Sequence, residues 1–181
     1  MPYGLMAQAL IALNLAAFLA LAAVTFTGWG IGQGWIAPAR HMLVAIPAAL
    51  FQLFGHSLTL FYFIGTGRRV KEWVAEHGGD ASLLRQVADF KRRVFPWATS
   101  TLALVILVFV LGGGTDARVV PPLLHGAAAV AALLVNLVTL VREVLGIGET
   151  VLLMRSLPAA PPETTPEGAA AAPTPPPSVR D

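Results

Sequence analysis

The sequence predicts an all-α integral membrane protein: a four-transmembrane-helix bundle with a cytoplasmic helical hairpin and a disordered C-terminal tail. Three observations predict it. Hydrophobic residues fill 56% of 181 positions and charged residues only 12%, against about 25% charged in ordinary soluble domains. The apolar residues gather in four long blocks, so that mean hydropathy reaches +0.70. Lysine and arginine collect in one connection between blocks.

The first block runs from about 5 to 27 and contains Gln8 and Asn14 but no charge. About 20 residues rising 1.5 Å each cross a hydrocarbon core of about 30 Å. A cleaved signal peptide, with Ala20-Leu21-Ala22 as the peptidase site, is the competing reading. It wants a basic leading region, and no Lys or Arg precedes the block. A retained helix is therefore expected. Gly28-Trp29-Gly30-Ile31-Gly32-Gln33-Gly34-Trp35 follows. Its alternating glycines predict a loop, and its tryptophans suit the headgroup level. No strand precedes it, which argues against a phosphate-binding glycine loop.

The second block covers about 42–66, with Pro47 in its first turns. A polar, basic stretch at 67–94 predicts the hairpin: one arm ends at Gly78-Gly79 and the other restarts with Asp80 as N-cap. Leu83, Val87, Phe90 and Val94 share a face of the second arm. The third block, about 95–111, stops at Gly112-Gly113-Gly114, and the fourth, about 121–145, ends before Gly146 and Gly148. A short apolar piece at 147–157 is expected at the interface. Residues 1–157 thus form the membrane domain, and the Pro/Ala-rich 158–181 is expected to be disordered, with too little apolar surface to offset its ordering entropy.

Seven of the twelve basic residues lie in the hairpin, among them Arg68, Arg69, Lys71, Arg92 and Arg93. Three more, Arg142, Arg155 and Arg180, lie at or beyond the end of the fourth block. Only Arg40 and Arg118 fall in the other two connections. The positive-inside rule places the hairpin and both termini in the cytoplasm, in a cytoplasmic (inner) membrane. The same arginines are positioned to meet lipid headgroups.

Polar residues in lipid are costly and face the bundle interior. On the fourth helix, His125, Ala128, Ala129, Ala132, Asn136, Thr139 and Glu143 share one face; on the second, His41, Ala45, Ala49, Gln52, His56 and Thr59 do. On the first, Ala7, Asn14, Ala17, Thr25 and Gly28 align. Such stripes predict packing seams in which Asn14, Gln52, Asn136 and Thr139 hydrogen-bond between helices. Glu143 adjoins Arg142 near the cytoplasmic end, where a solvated or paired carboxylate is expected.

Neutral imidazole also ligates haem iron. His41 and His125 have similar depths near the outer surface, while His56 lies about 22 Å further along the second helix. A pair such as His41 with His125 would hold one haem b in the outer leaflet, with the small residues beside them leaving room. His56 is the third candidate ligand. The arrangement is broadly similar to the four-helix haem b anchors of membrane oxidoreductases, a resemblance of architecture and histidines that implies an electron-transfer anchor subunit. A transporter or channel subunit, using Glu143, His56, Gln52 and Asn14 as a path, is a further reading. His77 reads as a surface residue of the hairpin.

Absence of cysteine excludes disulfides, thiolate metal sites and cysteine nucleophiles. No H-E-x-x-H or G-x-S-x-G motif is present, so no catalytic site is predicted. A net charge of +2 gives no footing for nucleic acid. The reading is a small accessory or assembly component of a membrane complex, with the lipid bilayer, other membrane subunits or further copies of itself as partners.

Overall fold

A computed structural model describes residues 2–157. The expected disordered tail, 158–181, lies outside the described residues. The described chain consists of four helices, α1 (Pro2–Gly32), α2 (Pro38–His77), α3 (Ala81–Asp116) and α4 (Pro122–Ser156). Each is long and apolar enough to cross a membrane.

The helix starts and stops have local causes. Pro38 and Pro122 open α2 and α4, where a missing N–H costs nothing because the first-turn donors lack intrahelical partners. Gly78, at φ 64°, ends α2 in the left-handed conformation and donates its N–H to the Val74 carbonyl. Asp80 caps α3 as expected, accepting from the Ser82 N–H at 2.9 Å.

The helices outrun the apolar blocks. The glycine-rich segment expected as a loop instead continues α1 to Gly32. Helical glycine costs about 1 kcal/mol relative to alanine, and here it admits close neighbours. A Cβ on Gly28 would lie 3.2 Å from His41 Cε1, and one on Gly30 3.1 Å from Ile36 Cδ1. Helix α3 likewise passes through Gly112-Gly113-Gly114 to Asp116 and unites 81–94 with 95–111 across Pro96. The piece at 147–157, expected at the interface, continues α4 through Ser156.

Neighbouring helices pack in the order α1–α2–α3–α4 and back to α1, closing a ring. Across it, α2 touches α4, whereas α1 and α3 stay apart among the described residues. One end carries the α2–α3 turn at 78–80 with the start of α1 and the end of α4. We call this the turn end. The other, the loop end, carries the connections 33–37 and 117–121.

Towards the turn end, Leu10, Phe63, Val70, Phe90, Val94, Ile147 and Leu153 form one buried cluster. Large apolar side chains such as Leu43, Phe54, Phe61, Phe109 and Leu134 are exposed along the helices. In lipid such a surface is already solvated. The bundle is then held less by hydrophobic transfer than by close fit and interhelical hydrogen bonds.

Candidate functional site

All four helices place polar side chains in the bundle centre. Asn14, Gln52, His56, Thr59, Thr101, Asn136, Thr139 and Glu143 are each at most 1% exposed. The helical phase that aligned the stripes on α1, α2 and α4 brings them into one column.

His56 sits at its middle. Its Nδ1 lies 2.8 Å from Glu143 Oε1. Its Nε2 lies 2.8 Å from Gln52 Nε2 and 3.2 Å from Asn136 Nδ2. The contact to Gln52 spans one helical turn, so α2 itself orients the ring, while α4 supplies the other two partners. Both ring nitrogens of His56 are therefore engaged by polar side chains.

Two interhelical ties flank this group. Asn14 on α1 donates to Thr59 Oγ1 on α2 at 2.7 Å. A Cβ on Gly55 would lie 2.6 Å from Asn14 Oδ1, so glycine is required for that approach. Thr101 on α3 and Thr139 on α4 lie 2.7 Å apart. Thr101 escaped the sequence reading because it is the single buried polar residue within a long apolar run of α3, where no stripe announces it.

Glu143 is the main revision to the sequence reading. It is neither solvated nor paired with Arg142, which is exposed. It lies inward against His56, and its Oε2 has no protein partner. Oxygens of Gln52, Asn136 and Asn14 are also buried without partners. Burying ionisable and amide groups without hydrogen-bond partners is expensive.

A second group lies at the loop end. His41 on α2 and His125 on α4 face each other across the α2–α4 diagonal, with ring centroids 6.4 Å apart and planes at 79°. His41 Nδ1 is 2.9 Å from Thr27 Oγ1 on α1. His125 Nδ1 is buried without a protein partner. Glycine again makes the space, since a Cβ on Gly112 would lie 3.1 Å from His125 Cε1. Ala45, Ala49, Ala128 and Ala129, between these rings and the central column, are half-buried.

The basic residues singled out for headgroups, Arg68, Arg69, Lys71, Arg92 and Arg93, are all exposed towards the turn end. Arg68 pairs with Glu72 at 2.7 Å and Arg92 with Asp89 at 2.8 Å. Arg93 reaches from α3 to Glu149 on α4 through both guanidinium NH2 groups. His77 is exposed and stacks on Trp73.

Fold and site together describe a four-helix chain compatible with a multi-pass membrane protein, organised around a buried polar column. The chain matches no known protein family, no curated protein and no solved structure.

Proposed function

We propose that the chain is a small accessory subunit of a membrane electron-transfer complex, carrying a haem b between His41 and His125 in the outer leaflet of a cytoplasmic membrane. The supporting observation is the meeting of those two rings at 6.4 Å. His41 and His125 are the residues that would hold the iron, and a haem b would supply one-electron transfer there. The ligating helices lie on the short diagonal of the ring, and α1 and α3 lie apart on the long one. Thr27, 2.9 Å from His41 Nδ1, would orient the ring and leave Nε2 as the atom to ligate.

His56 does not enter this site, because its nitrogens are taken by Glu143, Gln52 and Asn136. Orientation follows the charges: the turn end, with most of the Lys and Arg, belongs in the cytoplasm. The protein's own chemistry would be to hold and orient the haem and to keep water from it.

A reduced-minus-oxidised absorption spectrum of the full chain purified from membranes tests the reading. A b-type Soret shift and α-band, lost in both His41→Ala and His125→Ala, are expected. Edge-to-face packing of two aromatic rings also places centroids about 4.5–7 Å apart. A protein without either band, or with bands unchanged in His125→Ala, reduces the pair to such packing and overturns the proposal.

A further inference from the structure

We propose that the recess between α3 and α4 at the turn end binds one anionic phospholipid, with its phosphodiester on Arg142 and Arg93 and its first apolar segment against Val94 and Leu145. The inference goes beyond the haem reading and uses neither of its histidines. It rests only on the chain spanning a bilayer.

The recess is a cavity of about 80 Å³ lined by Phe90, Arg93, Val94, Arg142, Leu145 and Gly146. Two of these carry guanidinium groups, three are large apolar side chains, and Gly146 contributes backbone alone. About 10–15 Å³ of such space admits one water. The recess therefore takes several atoms of a ligand but not a whole lipid. A lipid seated there continues outwards over Leu145, which is 60% exposed.

Arg142 gives the reason for an anion. It lies within the fourth apolar block, about one turn short of its end. Val138, Val141 and Leu145, exposed around it, belong to the apolar surface that lipid would cover. Among the described residues Arg142 has no hydrogen-bond or ion-pair partner. Its neighbour Glu143 is turned inward to His56. A guanidinium at such a depth is costly unless it is paired or reaches the interface. Arg68 and Arg92, by contrast, are paired along their own helices with Glu72 and Asp89.

Arg93 is the second arm, and it is fixed beforehand. It stands just before the third apolar block, at the edge of the hydrocarbon layer. Its guanidinium carbon lies 5.5 Å from the centroid of the Phe90 ring. Its two terminal nitrogens donate to Glu149 and its Nε to the Asp89 carbonyl. A guanidinium has five N–H donors, so one remains on each terminal nitrogen. Phosphate oxygens suit that fork. Arg93, Arg142 and Glu149 together carry one net positive charge, the complement of one phosphodiester. A zwitterionic headgroup would bring a cation of its own to a site that is already net positive.

Lipid retention by the purified full chain tests this. Native mass spectrometry from mixed micelles holding equal amounts of phosphatidylglycerol and phosphatidylcholine, with identical acyl chains, counts what stays bound. One phosphatidylglycerol per chain is expected, preferred about tenfold or more, as a charge-assisted hydrogen bond would give. Arg142→Gln should remove the preference. Leu145→Trp, which crowds the recess and keeps both charges, should remove it too. Arg68→Gln, outside the recess, should leave it unchanged. Equal retention of the two lipids by the wild type overturns the proposal, as does a preference that survives Arg142→Gln. A preference that survives Leu145→Trp, or one lost equally in Arg68→Gln, assigns it to exposed charge and overturns the recess. Displacement of the lipid by inorganic phosphate alone marks a free-anion site and overturns the lipid assignment. The haem spectrum is read separately, so either reading fails without the other.

Discussion

His56 and Glu143, separated by 87 positions, hold each other at 2.8 Å with 1% of either side chain exposed. The contact joins α2 to α4 across the bundle at the level where all four helices contribute polar groups. Removing one partner leaves the other buried and uncompensated. Glu143→Leu and His56→Leu are each expected to destabilise the bundle by about 3–5 kcal/mol, while the two together are expected to recover most of that loss. Unfolding in mixed detergent micelles, read as a double-mutant cycle, checks it. A double variant as unstable as the sum of the singles would show that packing, not the pair, carries the effect.

Two glycines flanking Ile147 predict opposite outcomes. A Cβ on Gly146 would lie 2.9 Å from Val94 and 3.0 Å from Phe63, but one on Gly148 meets nothing within 4 Å. Gly146→Val should cost about 1–3 kcal/mol by overpacking. Gly148→Ala should gain up to about 1 kcal/mol from helix propensity. The same unfolding assay separates them by sign.

The Thr101–Thr139 contact is buried and interhelical. Thr101→Val keeps the shape and removes the hydroxyl, so a loss of about 0.6–1.7 kcal/mol is expected, the range typical of such bonds in membrane helices. Thr99→Val, at an exposed position on the same turn of α3, is the control and should be near neutral.

Thr27 bonds His41 Nδ1. Orienting partners of metal-bound histidines commonly contribute about 10–100-fold in metal affinity. On the proposed haem reading, Thr27→Val would weaken haem retention by that order without changing the fold, measured by haem loss to a scavenger alongside circular dichroism.

Asp80 has its carboxyl held below the ordinary carboxylate range by hydrogen bonds from the Ser82 hydroxyl and backbone N–H, with Arg85 adding attraction. A lowered folded value means the cap contributes fully above the unfolded value of about 3.9. The contribution fades as pH falls through the lower folded value. Amide exchange at Ser82 should quicken below that range in wild type and show no such step in Asp80→Asn.

Much of the column was legible because helical phase is set by sequence alone. Asn14, Gln52, His56, Asn136, Thr139 and Glu143 align at 100° per residue whatever surrounds them. The misjudged features depend on partners distant in sequence. Glu143 was on the correct face, yet its neighbour Arg142 suggested water, whereas its true partner is 87 positions away. Gly28, Gly112 and Gly146 read as breakers from local propensity. Each instead receives a side chain of another helix, and tertiary fit overrides a propensity of about 1 kcal/mol. Thr101 lacked any periodic companion. The four apolar blocks needed no such information, since hydropathy over about 20 residues is a local property.

The uninterrupted course of α2 has a mechanical consequence. Its 40 residues make a rod about 60 Å long, twice the depth of the hydrocarbon layer. His41 rides near one tip and the Trp73–His77 stack near the other, with Pro47 the one internal position whose N–H is missing from the ladder. The helix therefore couples the position of its far tip to that of the imidazole end, with Pro47 the point at which that coupling is weakest.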